Sequence, residues 1–276
     1  MNRIVGKLPL ADGVTLFRIE APEIARRRRA GQFVILRLDA EGERIPLTLV
    51  DSDPEAGSIT LVVQAVGATT KRLAALREGE EIRDLAGPLG HPTPVRELGT
   101  VAVVAGGVGA AEALPVIKAW RGAGNRVPAI VGARSADLLI LTEELRTAAD
   151  ELHLCTEDGS LGKRGLVTDL LRTMINDGAV PDLAYAIGPV PMMKAVADLT
   201  RPYGIPTLAS LNPIMVDGTG MCGCCRVTVG GTVKFACVDG PDFDAHQVDF
   251  GELRQRQGAY REEEREAETA EREEDR

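Results

Sequence analysis

The sequence predicts a small antiparallel β barrel, then an α/β domain with a parallel sheet, then a short cysteine-bearing module. Three observations carry this. Short β-branched or alternating runs fill the first third of the chain, strand and helix patterns alternate from Thr100, and four of the five cysteines fall between residues 222 and 237. The expected divisions are residues 1–98, 99–209 and 210–250, with a charged tail over 251–276.

In the first segment the strands are VTLFRIEAP, GQFVILRLD, RIPLTLVDSD and SITLVVQAV. Gly, Pro and Asp punctuate them at the spacing of a barrel. KRLAAL follows as a helix. TVAVVAGGVG is then a continuous apolar strand ending in a glycine turn, and AAEALPVIKAWRGAG a helix closed by Gly. VPAIVGA, ELHLCTE and LAYAIGP read as further strands, LLILTEELRTAA and VTDLLRTMI as helices. Such alternation implies crossovers and a parallel sheet. CRVTVGGTVKFAC fits two strands joined at Gly-Gly, which returns Cys237 to Cys225. The tail YREEEREAETAEREEDR has almost no apolar face and reads as a solvated helix or frayed end.

Composition narrows the function classes. A net charge of −9 disfavours a nucleic-acid partner. No apolar run reaches the ~18 residues of a membrane span. The N-terminus lacks a basic-then-apolar secretory pattern, and with free thiols the expectation is a cytoplasmic protein.

The candidate sites follow from chemistry. Asp217, Cys222, Cys225 and Cys237 are spaced D-x4-C-x2-C-x11-C within a Gly-rich turn and hairpin. Inward-pointing thiolates on tight turns are how a loop wraps a small iron–sulfur cluster. A zinc site, a disulfide framework and simple buried cysteine compete with that reading, and the last suits Cys155. Cys224, next to Cys225, is expected to point away from the same centre. Gly106, Gly107 and Gly109 close a strand before a helix, where free N–H groups can hold a pyrophosphate. Gly132 with Arg134 and Ser135, Asp158 with Gly159, and Gly188 end the neighbouring strands and are expected to line the same crevice. In the barrel, Arg44, Pro46, Leu47 and Thr48 offer a cation and a hydroxyl to a flavin, and Gln64, Gly67, Thr69 and Thr70 lie on a turn suited to a pyrophosphate.

A barrel with R-x-P-L-T, a domain opening with AGGVG and closing with IGPVPMM, and the appended cysteine module together resemble the ferredoxin–NADP+ reductase superfamily. Within it, the chain is similar to the electron-transfer subunits of dihydroorotate dehydrogenase. It is most similar to the small subunits of NADH-dependent reduced ferredoxin:NADP+ oxidoreductases, a group also called sulfide dehydrogenases. That group carries stretches like SLNPIMVDGTGMCG-x-CRV and FACVDGP-x-F-D, with aspartate in place of the first cluster cysteine. The resemblance runs from about residue 3 to 254. It implies a [2Fe–2S] cluster on Asp217, Cys222, Cys225 and Cys237. It implies FAD on Arg44, Pro46, Leu47, Thr48, Gly67, Thr69 and Thr70, and a dinucleotide near Gly107, Gly109, Arg134, Asp158 and Gly188. Cys224 departs from relatives, which often have a small residue there.

The function expected is therefore an electron-transfer flavoprotein subunit. NAD(H) or NADP(H) exchanges a hydride with FAD, and single electrons pass through the cluster to a larger flavoprotein or iron–sulfur subunit, with ferredoxin reached through the complex. A dihydroorotate dehydrogenase electron-transfer subunit is the alternative within the class, and a non-catalytic redox sensor the alternative outside it.

Overall fold

The computed structural model describes residues 2–260 and 262–263, so most of the acidic tail, expected as a solvated helix or frayed end, lies outside the described residues. In chain order the first segment comprises β1 (Asn2–Ala11), β2 (Val14–Glu20), α1 (Pro22–Arg27), β3 (Phe33–Arg37), β4 (Ile45–Thr48), β5 (Asp51–Asp53), β6 (Ser58–Gln64), α2 (Ala68–Ala75), β7 (Glu81–Ile82) and β8 (Asp84–Leu89). They form two antiparallel sheets, β5-β6-β2-β1-β7 and β4-β3-β8. Side chains from both, among them Ile4, Phe17, Ile19, Val34, Leu36 and Leu61, make one core between them. The expected barrel is thus a two-sheet, barrel-like body, without a closed hydrogen-bonded cylinder among the described residues. Pro46 is accommodated because β4 is an edge strand, where a missing N–H breaks no inner ladder.

Sequence reading did not anticipate β1, which pairs with β2 over most of its length. Gly6 and Pro9 interrupt its alternation, and the register shifts beside both.

The second segment runs β9 (Val101–Gly106), α3 (Gly109–Gly122), β10 (Pro128–Ala133), α4 (Thr142–Ala148), β11 (Glu151–Thr156), β12 (Lys163–Arg164), α5 (Val167–Asn176), β13 (Leu183–Ile187), α6 (Val190–Thr200) and β14 (Thr207–Ser210). β9 is buried throughout, as expected of a central parallel strand covered on both faces. Ala113, Ile117 and Trp120 of α3 and Leu145 of α4 pack on one face of the sheet. Leu171 and Ile175 of α5 and Met193 and Val196 of α6 pack on the other. In α5, Val167, Leu171 and Ile175 recur every fourth residue and are all buried, contributing about 1.5–3 kcal/mol each. The helix expected over LLILTEELRTAA is shorter. Leu141 takes a left-handed φ of 53°, so α4 begins only at Thr142, and Leu138–Leu139 lie in a 3₁₀ turn and its exit, where Leu139 packs beside the α3–α4 core.

The third segment contains β15 (Arg226–Val229), β16 (Thr232–Phe235), α7 (Ala236–Asp239), β17 (Asp242–Asp244) and α8 (Phe250–Gln257). The Gly-Gly hairpin is as expected, with Arg226 opposite Phe235. β17 pairs antiparallel with β14 and completes the order β12-β11-β10-β9-β13-β14-β17. Phe250 and Leu253 anchor α8 in the same core as Cys225, Val227 and Cys237.

One half-buried aspartate ties the segments together. Asp242 accepts hydrogen bonds from Thr93, on the connection between the first two segments, at 2.6 Å and from Tyr185 of β13 at 2.9 Å. Burial pushes its carboxyl above the ordinary range, against the hydrogen bonds it receives. An acid whose folded pKa is raised binds more protons folded than unfolded, so its contribution is full below the unfolded pKa and is lost as pH rises through the folded one. Asp242→Asn should therefore flatten the decline of the urea midpoint as pH rises from about 4, the region of the unfolded carboxyl. Parallel pH profiles for variant and parent would refute the assignment.

Candidate functional site

The carboxyl ends of β11, β10, β9 and β13 lie side by side, so the glycine-bearing turns expected to line one crevice are neighbours. Gly107 takes a φ of 57° and donates its N–H to Gly132 O at 2.9 Å, tying the ends of β9 and β10. At Gly109, the first residue of α3, a Cβ would lie 2.6 Å from Ile187 O. The absence of a side chain there lets the helix start close against β13. Gly132 has a packing reason of its own, because a Cβ would meet Val167 Cγ1 at 2.6 Å. Arg134 is exposed at the rim. Asp158 accepts from the Ser160 hydroxyl at 2.6 Å and its N–H at 2.9 Å, which holds the carboxyl below its usual range. Ser160 Oγ accepts in turn from Ala136 N at 2.8 Å, so the loops after β10 and β11 are joined.

In the first segment, Arg44 is exposed immediately before β4, and Pro46, Leu47 and Thr48 lie half-buried along it. Gln64 ends β6, and Gly67 precedes α2. The Thr70 hydroxyl is engaged at the start of that helix, accepting from Val66 N and Gly67 N at 3.0 Å each. Thr69 is buried and donates to Glu43 at 2.9 Å. These bonds bring the loop before β4 onto the start of α2, joining the two stretches that sequence reading treated separately.

The cysteine loop leaves β14 and returns through the β15–β16 hairpin. Cys225 and Cys237 are buried, with their sulfurs 3.1 Å apart. Burial, and after it the Cys225 thiol, pushes Cys237 up to about 12. Asp217 accepts from Thr219 N and from Cys222 N, both at 2.8 Å, and the backbone N–H of Thr219 leads in lowering its carboxyl. Cys222 is exposed at the rim. Among the described residues no three His, Cys, Asp or Glu side chains converge closely enough for a single ion. A binuclear cluster asks for something different, a pair of donors on each iron. The loop offers Cys225 beside Cys237, and Asp217 hydrogen-bonded to the backbone N–H of Cys222. Two adjacent buried thiols, with the Cys237 thiol costly to ionise alone, fit a site completed by cationic iron.

Cys224 is half-buried, and burial, followed by the neighbouring Cys222, raises its thiol above the ordinary range. Cys155, buried at the end of β11 and raised to about 11 chiefly by burial, has the environment of a small apolar residue.

Two features escaped sequence reading. Glu112, in the first turn of α3, is raised to about 7 by burial; a lone acid in an alanine-rich helix gave no signal. The second is a contact at Gly218, where a Cβ would lie 2.6 Å from Leu89 and 2.8 Å from Ile35. The loop therefore rests directly on β8 and β3, and Ile35 pairs with Pro46 of β4. Only a fold could supply that neighbour. A cleft of about 670 Å³ lined by Arg28, Arg29, Pro92 and Lys118 holds none of the candidate cofactor or cluster residues.

Gly109→Ala should destabilise the protein by about 1–3 kcal/mol, the range for forcing a methyl into a filled site. Urea unfolding measures it. A midpoint equal to the parent's would show that α3 does not start against Ile187.

Known proteins share both the cysteine module and the whole architecture. Residues 212–249 match the model of the iron–sulfur cluster binding domain of dihydroorotate dehydrogenase B. A dihydroorotate dehydrogenase B (NAD+) electron transfer subunit homolog of Thermotoga maritima is 47% identical over 96% of this chain and 93% of its own length. The electron transfer subunit of Shouchella clausii is 33% identical over 83% of this chain and 90% of its own. A solved structure of an NADH-dependent reduced ferredoxin-NADP oxidoreductase, described for its flavin-based electron bifurcation, superposes with a TM-score of 0.92 at 44% identity, covering 98% of this chain and 97% of that one. With the same cysteine module and near-complete overlap, the chain belongs to the family of dihydroorotate dehydrogenase B electron transfer subunits and their homologs.

Proposed function

We propose that this chain is the electron-transfer flavoprotein subunit of a larger oxidoreductase, exchanging electrons between NAD(H) or NADP(H) and a partner subunit. The observation that carries the reading is the seating of the cysteine loop on β3, one strand from the R-I-P-L-T stretch. Electrons pass between centres held close together, and this packing sets the two candidate sites next to each other.

When bound, FAD and a [2Fe–2S] cluster supply the exchange between a two-electron hydride and single electrons. The residues have distinct tasks. Arg44 neutralises phosphate charge, Thr48 hydrogen-bonds the flavin ring, and Pro46 and Leu47 present its strand. Gln64 and Gly67 border the pyrophosphate turn, with Thr69 and Thr70 fixing the start of α2. Gly106, Gly107, Gly109, Gly132 and Gly188 let the dinucleotide approach the sheet, while Arg134 and Asp158 border its ribose. Asp217, Cys222, Cys225 and Cys237 ligate iron.

The partner we propose is a larger flavoprotein with further iron–sulfur clusters, through which ferredoxin and NADP+ are reached. The 44% identical neighbour belongs to a structure described as an NADH-dependent reduced ferredoxin-NADP oxidoreductase, and Asp217 in the position of a ligand cysteine favours that kind of complex. A dihydroorotate dehydrogenase complex is the second reading, favoured by the match of residues 212–249. Among the described residues no helix is long and apolar enough to cross a membrane.

Anaerobically purified protein should show a flavin spectrum, contain iron and sulfide in nearly equal amounts, and bleach rapidly with NADH or NADPH. Lack of all three would end the proposal, and bound FAD that neither nucleotide reduces would point to a sensor. Asp217→Cys should retain the cluster with a changed EPR spectrum and midpoint potential, whereas identical values would remove Asp217 from the ligand set. Co-purification separates the two readings through the identity of the partner.

A further inference from the structure

Arg256 lies near the end of α8, beyond the residues assigned to the cluster-binding domain. Its Nη2 donates to Cys224 O at 3.1 Å. Its Nε is buried and has no hydrogen-bond partner. No carboxylate pairs with it among the described residues. The helix that carries it is held firmly. Phe250 and Leu253 are buried beneath, Asp249 caps the start by accepting from Glu252 N at 2.9 Å, and Gln257 donates to Asn212 O at 2.8 Å.

A partly buried guanidinium with no carboxylate beside it among the described residues is an expensive way to hold one carbonyl, since a neutral amide donor could do the same. The cost is recovered only if negative charge faces it. The loop whose backbone it grips is the one expected to carry thiolates around iron, a group that is anionic and becomes more so on accepting an electron. A second arginine provides a built-in comparison. Arg226 donates from Nη1 to Gly223 O at 3.2 Å, so the two arginines hold consecutive carbonyls of one turn. Arg226 is exposed, however, and water screens its charge.

We infer that Arg256 is a positioning residue that also sets the cluster's reduction potential, its positive charge, less exposed to water than that of Arg226, stabilising the reduced form and so raising the midpoint. The inference rests on the cluster assignment proposed above.

The test is an EPR-monitored redox titration of the anaerobically purified holoprotein, with iron, sulfide and the flavin midpoint measured on the same samples. Arg256→Gln should shift the cluster midpoint to lower potential and leave the flavin's nearly unmoved. Arg226→Gln should shift it less, and Arg256→Lys should restore most of the parent value. An unchanged midpoint in Arg256→Gln overturns the inference. So does an equal shift in Arg256→Gln and Arg256→Lys, because a purely structural grip is lost in both. If Arg256→Gln and Arg256→Met lose iron and sulfide, retention by Arg256→Lys supports a requirement for charge, and loss by all three refutes it. Absence of iron and sulfide from the parent protein is a separate result, which removes the cluster assignment and this inference together.

Discussion

A single short strand joins the two halves of the candidate site. In β3, successive side chains point to opposite faces. Val34 and Leu36 enter the core between the two N-terminal sheets, while Phe33 and Ile35 enter the core that holds Cys225 and Cys237. A strand buried on both faces cannot slip by one residue without reversing both cores, so its register is strongly fixed. β4, carrying Pro46 and Thr48, is paired to this strand, and the loop at Gly218 is seated on it. The spatial relation between the R-I-P-L-T strand and the cysteine loop is thus set by packing.

Within the loop, the two pairs of donors have opposite electrostatic character. Cys225 and Cys237 are buried against each other, and burial disfavours the Cys237 thiolate until a cation shares the site. Asp217 is already ionised, its carboxylate fixed by two backbone N–H groups. Those same bonds shape the turn that brings Cys222 round. The aspartate therefore has a local structural task that it performs whether or not it contacts iron. This is why spectroscopy on a cysteine replacement says more about its role than stability would.

Much of this was legible in the sequence, and the failures have physical causes. The continuous apolar run VAVVAG could be read as a central parallel strand because helices cover both its faces. β1 was hidden by Gly6 and Pro9, which look like turn residues until bulges absorb them. LLIL before α4 mimicked a helical stripe, yet Leu141 turns left-handed and the run covers a core edge as a connection. Cysteine spacing anticipated that Cys237 returns to Cys225, because hairpin geometry is local. The contact of Gly218 with Ile35 and Leu89 spans most of the chain, and no spacing rule encodes it. Gly132 illustrates a subtler limit. It reads as a ligand-approach glycine, while the packing of Val167 beneath it is sufficient reason for its identity.

The topology explains how one module can answer to both of its neighbours. β14 and β17 are adjacent and antiparallel, so everything between Leu211 and Pro241 is an elaborated connection between two paired strands. Its base is closed by Leu211 N donating to Pro241 O at 2.9 Å, and just beyond, the Asp242 carboxyl holds Tyr185 and Thr93. Early in the excursion, Gly218 lies against β3 and β8. Long unsupported loops are mobile, but this one is tied to the seven-stranded sheet at its base and to the N-terminal sheets at Gly218, with α8 bonded to it through Arg256 and Gln257. The placing of the cysteines therefore depends on contacts from both N-terminal and central segments as well as on the cysteine motif.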